Sequence, residues 1–372
     1  MSEWKKVKLS EIANIKTGKL DSNAAVTNGL YPFFTCDPNT LRINEWAYDT
    51  EAVLLAGNNA SGNYTAKYYI GKFNAYQRTY IIESSNTFVT STRFLAYAMN
   101  MQLQRLKVMS SGSTTKFITM KMLTSLEIPH PNIETQHRIA TILSRYDFLI
   151  ENCQKQIKLL EEAAQRLYKE WFVELRFPGY ENTKMVDGLP EGWERKKLVD
   201  MVDVQYGYAF DGMQFNSDGD GMPILRIRNI PDGTTSDFTT EEAPASYIVH
   251  SGDIVVGMDG IFHINSWSGG DAYLVQRACS FRPKEEGIKG FIFQAIQEPI
   301  KFFEKTLVGA TVAHLGKKHI DSIELVVPNN HKFFEAFQTM YIKRQGLLSQ
   351  IRLLAEARDR LLPRLMGGEM EV

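Results

Sequence analysis

Gln156-Ile157-Lys158-Leu159-Leu160-Glu161-Glu162-Ala163-Ala164-Gln165-Arg166-Leu167 returns near the end of the chain as Gln350-Ile351-Arg352-Leu353-Leu354-Ala355-Glu356-Ala357-Arg358-Asp359-Arg360-Leu361, with eight of twelve positions identical. Upstream of each copy, Gly112 to Pro131 aligns without gaps on Gly309 to Pro328, keeping Lys121/Lys318, Ser125/Ser322, Glu127/Glu324 and the terminal prolines. Further out, Gln77-Arg78 meets Gln276-Arg277, Gly18 meets Gly207, and Trp4-Lys5-Lys6-Val7-Lys8-Leu9 meets Trp193-Glu194-Arg195-Lys196-Lys197-Leu198. Five matches in one order make the chain two copies of a single unit, each a globular head followed by a helix. The offset between copies changes along the chain, so the loops inside the heads differ in length.

The matched segment lies inside a periodic run. Apolar residues fall at Ile139, Ile142, Tyr146, Leu149, Cys153, Ile157, Leu160, Ala164, Leu167 and Trp171, in steps of three and four with one hop near Cys153. That is a coiled-coil seam. The second copy runs Phe337, Met340, Arg344, Leu347, Ile351, Leu354, Arg358, Leu361 and Leu365. Pro178-Gly179 is expected to end the first helix, and Pro363 with Gly367-Gly368 the second. Each helix must bury its seam, and the matching partner is its own copy. Antiparallel packing follows, with the heads at opposite ends of a pair about 60 Å long at ~1.5 Å per residue.

The heads read as mixed. Ala52–Ala56, Tyr80–Ile82, Ile224–Ile227 and Asp253–Val256 are short β-rich runs, while Phe94–Val108 and, less clearly, Phe291–Lys305 have helical spacing. The expected fold class is α+β: two mixed α/β heads joined by two long antiparallel coiled-coil helices, as a pseudo-twofold internal repeat. The expected divisions are 1–132, 133–182, 183–330 and 331–372.

Composition excludes several function classes. The 372 residues are 44% hydrophobic and 23% charged, an ordinary globular balance. No apolar run approaches the ~20 residues of a membrane helix, and no leader pattern opens the sequence. Three widely spaced cysteines, Cys36, Cys153 and Cys279, fit a reducing cytoplasm better than a disulfide or zinc framework. No phosphate-binding loop follows any Gly-Lys pair, and no Asp/Asn-Pro-Pro-aromatic tetrapeptide, nuclease carboxylate set or His-Glu-x-x-His occurs. No catalytic residue or metal ligand set is identified. Charge is uneven: residues 1–132 carry 14 basic and 9 acidic side chains, residues 183–330 carry 14 and 21.

Gly192–Leu198, Gly252-Asp253-Ile254-Val255-Val256-Gly257-Met258-Asp259-Gly260 and Gln276-Arg277 resemble the recognition domains of type I restriction–modification specificity (S) subunits. Leu167-Tyr168-Lys169-Glu170-Trp171-Phe172-Val173-Glu174-Leu175-Arg176-Phe177-Pro178-Gly179 is similar to that family's central conserved region, and Leu361–Glu369 to its final helix end. The chain departs from the family in carrying Gly367-Gly368 where Ser-Gly is commoner, and in the acidity of its second head. The resemblance implies a non-catalytic, cytoplasmic subunit that reads double-stranded DNA with a bipartite target. It implies two modification (M) subunits holding S-adenosylmethionine, and restriction (R) subunits using ATP and Mg2+. No cofactor is expected on this chain, and no membrane partner.

On that reading, base edges and phosphates are met by polar and basic loop residues. In the first head these are Asn58, Asn59, Ser61, Asn63 and Tyr64, then Ser113, Thr114, Thr115 and Lys116, with Arg78; the first loop also fits a solvated Asn/Gly turn. In the second head, Arg226 and Arg228 lie two apart in a strand-like run and so share a face, with Asn229 following; a salt-bridged face is the alternative. Met258, Asp259 and His263, together with Asn265, take the place of the Asn-rich loop. Thr311, Lys317, Lys318 and Arg277 complete the set. The arms supply the coil and M-subunit interface: Leu149, Ile157, Leu160, Leu167, Trp171 and Phe172 from the first, Leu347, Ile351, Leu354, Leu361 and Leu365 from the second. The bulky Trp171, Phe172 and Phe177 also suit closing the coil against the following head. A nuclease or methyltransferase with a fused recognition half, and a repeat adaptor that binds only protein, are the rival readings.

Overall fold

A computed structural model describes residues 4–59, 64–110, 116–307, 313–370 and 372. Contacts divide it into two compact units: residues 1–150 with 353–372, and residues 151–352.

In the first unit, six strands form one sheet in the order Ala13–Thr17, Thr79–Ser84, Tyr48–Ala56, Ala66–Ala75, Tyr31–Phe34, Leu41–Ile43. Pairing is antiparallel except where Phe33 and Phe34 run parallel to Asn74 and Ala75. The helix Thr92–Met109 covers one face, its N-terminus capped by Ser91 Oγ accepting from the Phe94 amide. Val53, Leu55, Ile82, Phe94 and Leu95 meet beneath it. The start of the first arm (Ile133–Tyr168) and the end of the second (Lys332–Met366) join the same core through Ile139, Leu143, Leu365 and Met366. Arg358 donates to Asp147 Oδ1 at 2.7 Å, and the Tyr97 hydroxyl donates to the other oxygen of that carboxylate.

The second unit repeats the four-strand order as Val202–Tyr206, Ala278–Pro283, Ile254–Gly257, Ile264–Ser266. A separate five-stranded sheet follows: Phe215–Asn216, Phe238–Thr239, Met222–Leu225, Ala272–Leu274, Ile248–Val249. The expected helix over 291–305 is two helices, Lys289–Ala295 and Gln297–Thr306. The end of the first arm meets the start of the second through Cys153, Ile157, Leu160, Leu347 and Ile351. In each unit, then, the arms run antiparallel.

The recurrent motifs have backbone reasons. Lys8 pairs with Glu127 across one two-stranded ribbon, and Lys197 with Glu324 across the other. A Cβ on Gly18 would lie 2.0 Å from the Ala75 carbonyl oxygen, and one on Gly207 2.1 Å from that of Val275, so only glycine fits. Gln77 and Gln276 each donate a backbone N–H at 2.8 Å, to the carbonyls of Leu20 and Tyr208.

Several expectations about the arms are corrected. Leu149 is 49% exposed, because the step from Tyr146 that keeps the seam in phase lands on half-buried Ile150. Phe172 is 4% exposed, packed on Trp193, Phe291 and Phe337: it closes the coil against the second head, as expected, and its ring is not offered to a partner. Leu365 is likewise buried, in the first unit's core. Trp171 stands edge-on to Phe333 and Phe337, closing the coil against the second head. The first helix ends in a π turn, Lys169–Val173, five residues before Pro178. Pro363 lies inside the second helix, which runs on to Met366.

Candidate nucleic-acid interface

One backbone junction, present in both heads, gathers most of the candidate residues. In the first head Gly57 donates its N–H to the Arg78 carbonyl at 2.9 Å, and Ile118 donates to the Gly57 carbonyl at 2.8 Å. The two-residue strand Asn58–Asn59 pairs with Lys116–Phe117, setting Asn58 opposite Phe117 and Asn59 opposite Lys116. Sequence segments nearly sixty residues apart are thereby brought to one end of the sheet. Arg78 is exposed and Lys116 half-buried. Tyr64 is a correction: it is 6% exposed and belongs to the core cluster, so it does not present its ring to a base. Ser61, Asn63, Ser113, Thr114 and Thr115 lie outside the described residues.

The second head builds the same junction from other side chains. Met258 donates to the Arg277 carbonyl at 2.8 Å, and Leu315 donates to the Met258 carbonyl at 2.7 Å. Asp259 stands opposite His314 in an antiparallel bridge. Its carboxylate lies 2.5 Å from His314 Nδ1 and 3.5 Å from Arg277 Nε. Arg277 holds a left-handed backbone, φ 71, which non-glycine residues adopt at a cost. Met258 is buried at 6% exposure and is therefore part of the floor, a second correction. His263 is half-buried, with its N–H donated to Ile261 and its carbonyl accepting from Gly257. Thr311 lies outside the described residues; Lys317 and Lys318 are exposed on the short helix Lys317–Asp321.

Arg226 and Arg228 do not share a strand face. The strand ends at Leu225 and a 3-10 turn, Ile227–Asn229, replaces the expected continuation. Arg226 lies over the Phe215 ring at 5.2 Å. Arg228 grips Asp237 with two bonds, 3.1 and 2.6 Å, and Asn229 adds a third at 3.3 Å. Burial alone would raise the Asp237 carboxyl. The hydrogen bonds from Arg228 and Asn229 and the charges of Arg228 and Arg226 outweigh it and hold the group below its ordinary value. The salt-bridged alternative describes Arg228, although its side chain remains 61% exposed.

Sequence reasoning missed His314 and Asp237. His314 aligns with Phe117 in the match of Gly112–Pro131 on Gly309–Pro328, a signal available from the repeat; nothing distinguished Asp237 from the other acids of its head. Among the described residues no three His, Cys, Asp or Glu side chains gather as a metal site, and no helix is long and apolar enough to cross a membrane.

The family model described as type I restriction modification DNA specificity domain matches residues 1–162 and 190–351. The chain is 33% identical to the type I restriction enzyme EcoDI specificity subunit of Escherichia coli over 225 residues, 54% of this chain and 49% of that one. It is 28% identical to the MjaIX specificity subunit of Methanocaldococcus jannaschii over 290 residues, 72% of this chain and 66% of that one. The matched region thus spans about half and just under two thirds of these relatives' lengths. A crystal structure of a type I restriction-modification system S subunit from M. genitalium shares the fold, with a TM-score of 0.60 at 17% identity, covering 97% of this chain and 96% of that one.

Proposed function

This chain belongs to the type I restriction modification DNA specificity domain family, carrying that domain twice, and from that premise we propose that it is the sequence-reading subunit of a type I complex in the cytoplasm. Each head reads one half of an asymmetric, bipartite duplex target. The chain itself catalyses nothing: two M subunits dock on the arms and bring S-adenosylmethionine, and R subunits bring ATP and Mg2+. The observation that carries this reading is the shared junction. Identical backbone hydrogen bonds present Asn58, Asn59, Lys116 and Arg78 in one head and Asp259, His314 and Arg277 in the other. A constant frame with variable chemistry is what two readers of different bases require.

A gel shift with competitor duplexes, run with and without M subunits, tests it. Sequence-dependent retention is expected; binding to M subunits with no preference among duplexes would establish the adaptor reading instead. Docking is tested by aspartate at Leu160 and Leu354 together. Both are half-buried apolar arm positions, and the pair of substitutions is expected to abolish co-purification of M subunits.

A further inference from the structure

The second arm carries an arginine whose partners reach well beyond the helix pair. Arg344 is 8% exposed. Its Nε donates to Glu161 Oε1 on the first arm at 2.7 Å, one Nη donates to the Ser266 hydroxyl, and the other donates to Asn265 Oδ1 at 2.8 Å. The guanidinium also lies 5.3 Å from the Phe293 ring. Asn265 passes the connection on, donating Nδ2 to the carbonyls of Ile230 at 2.9 Å and Pro231 at 3.0 Å. Those carbonyls close the turn that holds Arg226, Arg228 and Asn229, while Asn265 and Ser266 lie on the strand entered from Met258–His263. One planar fork of donors therefore fixes two candidate readout segments to both arms at once.

The first copy lacks this arginine at the aligned position. Carrying the Gln156/Gln350 alignment back by six residues places Ile150 at the position of Arg344, and the counterpart of Glu161 is Ala355. In the first unit the second-arm residue Arg358 reaches Asp147 and through it Tyr97 on the helix Thr92–Met109, not a readout strand.

We propose that Arg344 is a positioning residue for base choice by the second head alone, holding the Asp259–His263 loop and the Arg226–Asn229 turn in mutual register; this rests on the reading of the heads as half-site readers. The test uses the whole complex with M subunits and S-adenosylmethionine, on the mapped target and on duplexes with one mismatch in either half-site. Discrimination is the ratio of kcat/KM values. R344M is expected to lower discrimination at the second head's half-site by about tenfold, as loss of a buried charged hydrogen-bond fork should, and to leave the other half-site within about twofold. R344K keeps the charge without the fork and falls between. E161A removes a partly exposed partner, keeps Arg344 held by Ser266 and Asn265, and shifts the same ratio by about threefold, which decides the matter if R344M does not fold. A purely structural role would lower total activity and leave the ratio unmoved. Unchanged ratios, or equal losses at both half-sites, overturn the proposal. If the unaltered complex discriminates at neither half-site, it is the two-reader function that fails.

Discussion

In the first head the strand Ala66–Ala75 runs ten residues, pairing with Tyr48–Ala56 along most of its length and with Tyr31–Phe34 at its end. In the second head the same path is cut into Ile264–Ser266 and Ala272–Leu274, which serve two different sheets. Trp267 lies at the cut. It is 1% exposed, donates Nε1–H to the Gly270 carbonyl at 2.6 Å, and packs among Leu225, Ile230, Val249 and Val255. A continuous strand keeps a head's surfaces on one sheet. A broken one frees a second sheet to carry its own turn, Ile227–Asn229, toward the same junction. The two copies thus keep the frame near Arg78 and Arg277 and vary what surrounds it.

The largest test of that contrast is at the cut. W267A removes a fully buried indole and is expected to cost the second unit about 3–5 kcal/mol, leaving the first unit's denaturant transition in place. Two transitions moving together would mean that the heads are not independently built.

Next in size is the junction's chemistry. D259N removes the charge that holds Arg277 and His314, and it is expected to change the second half-site's base preference by about 1–3 kcal/mol while leaving the first unaltered. Competition binding with half-site libraries reads this directly.

Smaller again is salt dependence. R78Q and K116Q should each lower the slope of log K against log salt by about one, as loss of a phosphate contact does. R277Q should change it less, because Arg277 already faces Asp259 at 3.5 Å. Equal slope changes in the two heads would erase the distinction between them.

The smallest effect is pH dependence, and it too should separate the heads. Burial, with Lys5 nearby, holds the His130 imidazole below its ordinary value; its Nε2 lies 2.9 Å from Thr90 Oγ1. The folded state therefore holds the His130 proton less tightly than the unfolded chain does, and this site costs stability as pH falls below about 6.5. Val327 occupies the corresponding place in the second head. There the lowered Asp237 carboxyl contributes stability that is lost only as pH falls below about 3.9 and through its depressed value. The first head's denaturant midpoint should fall between pH 7 and 5.5, and H130V should flatten that dependence.

Repetition made the architecture legible. Identity at the arms, and the recurrence of Trp4–Leu9 and of Gly112–Pro131 in the same order, require two copies, and the helical period requires a coil. The hop in the seam was also visible, but not that it would expose Leu149 and turn Ile150 inward, because that depends on which residue meets the partner helix. The site was half legible. Polar loop composition and the repeat point to Asn58, Asn59, Lys116 and Asp259, a composition that a solvated turn shares, and the structure brings all four to the equivalent junctions. Arg226 and Arg228 were misread as one strand face because a short 3-10 turn leaves no periodic trace. Arg344 takes a seam position in the helical period; its partners Asn265 and Ser266 lie almost eighty residues away, and no local pattern connects them to it.

The central claim is that two unlike readers specify one target, and the position of methyl groups on DNA tests it most directly. With the chain and its M subunits expressed in a host lacking other methylation, long-read sequencing should map modified adenines to one motif of two different short half-sites separated by a fixed, unread spacer. A palindromic motif, or a continuous one without a spacer, would contradict the account.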